Sequence, residues 1–156
     1  MKDDTDAERA RRLLSRKKIG SLCTIASDSV RPSGYPFGSV MPYSLTDDGN
    51  LTILASSLAE HTINFTSDAR ACMLVFEDPG SGDPLAFERV TLIGDIVRSA
   101  TETERERYLQ EHPHAKAYVS FADFSFYTLK VSALRYVGGF GRMSWVEPDQ
   151  YKATTT

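Results

Sequence analysis

The stretch FSFYTLKVSALRYV, residues 124–137, alternates apolar and polar side chains through much of its length. Side chains point to opposite faces of a strand with period two, so this run reads as one long bent strand or as a strand pair. Four shorter runs share its character: SLCTIA (21–26), LTILA (51–55), ACMLVFE (71–77) and RVTLIGDIVR (89–98). SDSVRPSG (27–34), TDDGN (46–50) and DPGSGDP (78–84) interrupt the runs with turn chemistry, and TDDGN reads as a hairpin turn. YPFGSVMPY (35–43) is a further strand, but Pro36 and Pro42 cannot donate to a ladder. That places it at an edge, at a bulge or against a ligand. Gly94, inside a strand pattern, marks a bulge.

Helical spacing covers residues 6–18, with Leu13 and Leu14 on one face and Gly20 as the stop. A short helix is expected over 58–67. A third opens at Thr101, where Glu104 completes a capping box. Hairpin-linked antiparallel strands with helices inserted at a few points predict a mainly β domain of the α+β class: a small barrel with peripheral helices. At 156 residues the chain is expected to form one domain. Its parts are an N-terminal helix (1–18), the barrel (19–147) and a flexible tail (148–156).

Lys and Arg are spread along a chain of net charge −3, apart from RARRLLSRKK (9–18). Leucines interleave that cluster, which makes it one face of an amphipathic helix rather than a nucleic-acid patch. No apolar run approaches the ~20 residues that span a bilayer, and the N-terminus is polar. The expectation is a cytoplasmic protein with neither membrane nor nucleic-acid partners. Cys23 and Cys72 sit in apolar runs and read as buried free thiols, too far apart in sequence for a zinc motif or a disulfide framework.

The chemistry turns on ILASSLAEHTINF (53–65), where a strand meets a helix at two serines and a histidine. No metal site is expected: of three histidines, His61 stands alone, and His112 and His114 flank a proline in what reads as a solvated turn. G-x-S-x-G, G-x-G-x-x-G after a strand and the P-loop are all missing. GGFG (138–141) reads as a conformational device. Two readings of the junction remain. One serine caps the helix, or Ser56, Ser57, His61 and Thr62 join the helix N-terminus in binding an anion.

The order and spacing of GYPFGSVMPY (34–43), SSLAEHTINF (56–65), DPLAFERVTLIG (83–94), HPHAKAYVSFADFSFY (112–127) and YVGGFGRMSW (136–145) resemble the FMN-binding split-barrel superfamily. These are the pyridoxamine 5′-phosphate oxidase-like proteins, and the likeness is to their haem-utilisation branch. It runs from Ile19 to Val146 and implies an antiparallel split β-barrel of the FMN-binding type. It further implies that Gly38, Ser39, Val40 and Met41 lie beside the isoalloxazine ring, with glycine allowing close approach. Ser56, Ser57, His61 and Thr62 match the segment that holds the FMN phosphate and ribityl chain, with Ser56 or Ser57 also capping the helix. Arg89 falls near the flavin, and Arg142 and Trp145 lie on the segment that a partner subunit contributes. The resemblance thus implies a homodimer with FMN sites at its interface and a small-molecule substrate near residues 37–41. AEHT (59–62) stands where the pyridoxamine-phosphate oxidases carry a basic pair, and PDQYKATTT lacks their basic C-terminal segment, so that oxidase activity is not expected. The leading expectation is an FMN-dependent oxidoreductase, for which no residue presents itself as catalytic acid or base. The alternatives are a haem-binding or haem-degrading protein, with His112 and His114 as candidate ligands, and a flavin-binding protein without turnover.

Overall fold

A computed structural model describes residues 4–78 and 80–154. Its helices are α1 (Asp6–Arg16), α2 (Glu60–Ser67), α3 (Glu102–Glu111) and α4 (Pro148–Ala153). Its strands are β1 (Ile19–Ile25), β2 (Pro36–Pro42), β3 (Ser44–Leu45), β4 (Leu51–Ser56), β5 (Arg70–Phe76), β6 (Glu88–Val97), β7 (Phe124–Gly138) and β8 (Met143–Val146). They form one antiparallel sheet in the order β2-β1-β5-β6-β7-β4-β3, with β8 also on β7. The sheet curls round its core as a half-barrel. β2, with its two prolines, is an edge strand, one of the three placements its sequence allows. It does not form one strand with the hairpin segment: the chain restarts after Tyr43 as β3, which pairs with β4 across the TDDGN turn.

The central ladder, β6 with β7, carries the closure. Its register slips between Ile93 and Gly94: Ile93 faces Ala133 while Gly94 faces Val131, which leaves Ser132 unpaired. One extra residue reverses which alternate side chains face inward. Tyr127, Leu129 and Val131 face the core before the slip, and Leu134 and Tyr136 after it. Gly94 is obligatory because a Cβ there would stand 1.9 Å from the carbonyl oxygen of Lys130.

The capping box read from sequence at Thr101 forms, and the structure adds a second at Thr5. Thr5 and Glu8 close a capping box on α1, and Thr101 and Glu104 close one on α3. Gly20 is not the stop of α1. The helix ends at Arg16, and Gly20 lies inside β1, where a Cβ would meet Met73 Sδ at 2.7 Å. Residues 148–153 are not a loose tail. They form α4, whose Tyr151 is fully buried and donates to the Gly49 carbonyl at 2.7 Å. Nor is His112 solvated: it is buried under Tyr108 and its Nε2 lies 2.8 Å from the Tyr43 carbonyl. The proline turn after α3 folds this histidine inward and leaves His114 exposed.

Gly94→Ala is expected to cost about 3 kcal/mol or more, since backbone rather than a flexible side chain must yield. At Gly38 a Cβ would meet no described atom within 4 Å, so Gly38→Ala should leave the stability within about 1 kcal/mol of the parent. Urea unfolding of the two variants side by side checks the contrast.

Candidate functional site

The strand-to-helix junction is built from the end of β4. Ser56 Oγ donates to Asp123 Oδ2 at 2.5 Å and accepts from the Leu58 amide, while the Ser57 amide donates to the Asp123 carbonyl at 2.7 Å. Neither serine caps α2. The N-cap is Ala59, which has no side chain able to do so, because the chain makes a separate turn at 56–59 before the helix begins. Buried Asn64 anchors α2 to β1, donating to Thr24 Oγ1 and accepting from the Ser27 amide. Phe65 packs edge-on to Tyr127 at 4.9 Å.

On this anchored helix Thr62 is buried, and its hydroxyl finds no partner among the described residues. His61 is half-buried and its imidazole is held below the usual histidine range, first by burial, with Glu60 pulling the other way. Two carboxylates, Glu60 in the first turn and Asp123 on Ser56, share this junction. Leading amides of a helix attract anions, but here acidic groups oppose a second negative charge, and the Ser56 hydroxyl is already committed to Asp123. The donor set is a poor match for a phosphate dianion.

The residues of β2 divide by parity. Ser39 and Met41 point inward; Met41 is core, and Ser39 Oγ is buried without a partner among the described residues. Gly38 and Val40 lie on the outer face, where Gly38 opposes Cys23 and Val40 opposes Ser21. That outer face continues across the sheet through Leu74, Thr91 and Arg135 to Trp145, and in the next row through Phe76, Arg89 and Val137 to Met143. Val40 is 73% exposed and Trp145 60%. Arg89 donates to the carbonyls of Leu85 and Phe87 and lines a cavity of about 430 Å³ with Leu74, Phe76 and Phe87. The Arg135 guanidinium lies over the Trp145 ring, 5.7 Å from its centroid.

Of the residues singled out from sequence, Gly38, Val40, Arg89 and Trp145 therefore share one broad apolar face. Ser56, Ser57, His61 and Thr62 share the junction. Arg142 belongs to neither: its guanidinium donates to Asp6 Oδ1 at 2.7 Å and to the Asp4 carbonyl, tying the turn before β8 to the start of α1. The GGFG glycines make that turn, Gly139 and Gly141 having φ of 98° and 80°. Sequence reasoning missed Asp123, which lies within HPHAKAYVSFADFSFY but was not singled out there, and Arg135, whose outward direction depends on the bulge.

The depressed His61 pKa has a consequence for stability. The unfolded chain takes up a proton near pH 6.5 that the folded chain resists, so this contribution is intact above that pH. It is lost progressively as pH falls toward the lowered folded value. His61→Gln should flatten the decline of the urea midpoint between about pH 7 and 5; an unchanged slope would assign the acid sensitivity elsewhere.

Comparison with known proteins places this architecture. The chain is 35% identical over 141 residues to the non-canonical chloroplastic haem oxygenase HOZ of Arabidopsis thaliana, covering 85% of this chain and 43% of that protein. A haem-binding protein from Mycobacterium smegmatis superposes with a TM-score of 0.88 at 32% identity, over 98% of this chain and 62% of the other. The chain thus spans less than two-thirds of both relatives. A FAD-binding protein from Mesorhizobium loti shares the fold at a TM-score of 0.63 and 15% identity, over 81% and 89% of the two chains. No helix among the described residues is long and apolar enough to cross a membrane. With the CREG β-barrel model matching residues 1–153, the chain belongs to that family of split barrels.

Proposed function

We propose that this chain is the barrel of a haem-binding protein that serves haem turnover, and that the outer sheet face receives the macrocycle. The observation that carries this reading is the 35% identity to a haem oxygenase over 85% of the chain, joined by the 32% identity to a haem-binding protein. The face suits such a ligand. A flat tetrapyrrole needs a broad apolar bed, which Val40, Phe76, Met143 and Trp145 supply from exposed positions. Its two carboxylates need cations, and Arg89 and Arg135 stand on the same face. Gly38 fits too, since nothing described in the chain itself crowds that position and a glycine leaves room for a ring from outside. His112 is not open to iron, because it is buried with Nε2 on the Tyr43 carbonyl. A second copy covering the apolar face would complete the site as a homodimer. Haem in this reading is the substrate, and the chain contributes apolar cover and charge.

Haemin titration of the purified protein should give a saturable Soret shift. Arg89→Ala with Arg135→Ala should weaken binding about tenfold, equivalent to ~1.4 kcal/mol, while the far-UV circular dichroism stays that of the parent. Absence of a saturable Soret shift would overturn the reading.

Orphaned hydroxyls favour one second reading. Thr62 Oγ1 and Ser39 Oγ are buried and unpartnered among the described residues, and each costs free energy unless something accepts or donates there. FMN is the ligand that the fold resemblance implies for these positions. When bound it would supply two-electron redox chemistry, with Thr62 and Ser57 holding its phosphate side. Ser57→Asp with His61→Glu is expected to abolish any FMN binding followed by flavin fluorescence, with the fold intact. Unchanged affinity would remove the junction from the flavin site.

A further inference from the structure

Far apart in sequence, Cys23 and Cys72 are direct partners across the β1–β5 ladder, and both thiols are free and half-buried on the outer face. The ladder geometry defines their separation. Ala26 donates to the Tyr35 carbonyl and accepts from the Gly34 amide, so it turns its backbone toward β2. Backbone direction alternates along a strand, so Cys23, three residues earlier, turns its N–H and C=O toward β5. Cys23 and Cys72 are therefore a hydrogen-bonded antiparallel pair, with Cα atoms about 5.5 Å apart, inside the ~4.4–6.8 Å span that a disulfide bridges. The thiols already sense one another: Cys72 is pushed up to about 11, first by burial and then by Cys23.

We propose that Cys23 and Cys72 form a reversible intrachain redox pair that closes to a cross-strand disulfide under thiol-oxidising conditions. The oxidant is a small disulfide such as oxidised glutathione. The thiolate of Cys23 attacks one sulfur of glutathione disulfide, forming a mixed disulfide and releasing one glutathione, which carries a proton away. Cys72 loses its proton and attacks the Cys23 sulfur of that mixed disulfide, releasing the second glutathione. Two protein thiols are oxidised by two electrons, and one glutathione disulfide is reduced to two thiols. Attack by Cys72 first, resolved by Cys23, balances in the same way and gives the same disulfide. In a hydrogen-bonded pair the Cβ atoms stand about 5.5 Å apart, wider than the ~3.5–4.5 Å of a relaxed disulfide. Closure must therefore draw the two strands together, and the bond stays easily reduced. Its place beside Gly38 and Ile93 puts the pair in the middle of the outer face, but the inference does not depend on what that face binds.

The test incubates the full chain with excess oxidised glutathione and counts thiols by a colorimetric reagent under denaturing conditions. The expected result is loss of both thiols, a mass lower by two hydrogens, and a linked peptide pair holding Cys23 and Cys72, all reversed by dithiothreitol. Cys72→Ser should stop at a glutathione adduct on Cys23, and Cys23→Ser at one on Cys72. Thiols that survive oxidation, stable glutathione adducts on both cysteines, or a disulfide-linked dimer would each overturn the proposal.

Discussion

The single extra residue in β7 is the constraint on which the rest depends. β6 and β7 form the longest ladder of the sheet, and β5, β4 and β8 all hang from it. Without the slip at Gly94, a strand running from Phe124 to Gly138 would present the same parity throughout. Either Tyr127, Leu129 and Val131 or Leu134 and Tyr136 would then leave the core. With it, one strand serves two ladders that face different ways. Its first half pairs with β4 and places Asp123 against the helix junction. Its second half pairs with β8 and aims Arg135 outward at Trp145. Both candidate binding surfaces are thus products of one bulge.

Polar groups lock the barrel's ends where strand pairing stops. Beyond the β4 ladder, the Val131 amide is taken up by Asn50 Oδ1 at 2.9 Å. The hairpin that carries Asn50 is in turn held by Arg11, fully buried on α1. Its guanidinium donates to the carbonyls of Thr46 and Asp47 and lies over the Tyr151 ring. A buried guanidinium is tolerable only with its donors occupied, and here backbone oxygens and an aromatic face do most of that without a carboxylate among the described residues. This arrangement fastens the first helix, the hairpin and the last helix to one another. It also explains Gly49, where a Cβ would strike both Arg11 and Tyr151.

Strands, turns, the Thr101 capping box and the bulge were legible because they are local: each rests on spacing within about ten residues. What failed was long-range. Gly20 carries the sequence mark of a helix stop, but its need for glycine comes from Met73 across the ladder. His112 and His114 look alike in EHPHAK, yet only the first turns inward onto the carbonyl of Tyr43, which lies 69 residues earlier in the chain. The terminal PDQYKATTT looks unstructured until Tyr151 is seen to fill the space beside Arg11. The cysteines show the same blindness. Their separation along the chain argues against a bond, whereas the β1–β5 register makes them neighbours.

The junction and the outer face make opposite electrostatic demands, and that contrast bears on which ligand the barrel suits. At the junction, a helix of eight residues offers amide donors, but Glu60 and Asp123 bring negative charge to the same short stretch of structure. The positive end of a short exposed helix is worth about 0.3–1 kcal/mol to an anion, which a nearby carboxylate can cancel. Thr62 is left there as a hydroxyl without a partner among the described residues. On the outer face the balance reverses. Arg89 and Arg135 pair with no carboxylate among the described residues, and exposed apolar side chains surround them. A ligand whose charge sits at its rim and whose body is flat and apolar gains from both features. A ligand that must bury a phosphate dianion meets Glu60 and Asp123 at the junction. In the proposed reading, the placement of charge therefore favours the outer face over the junction.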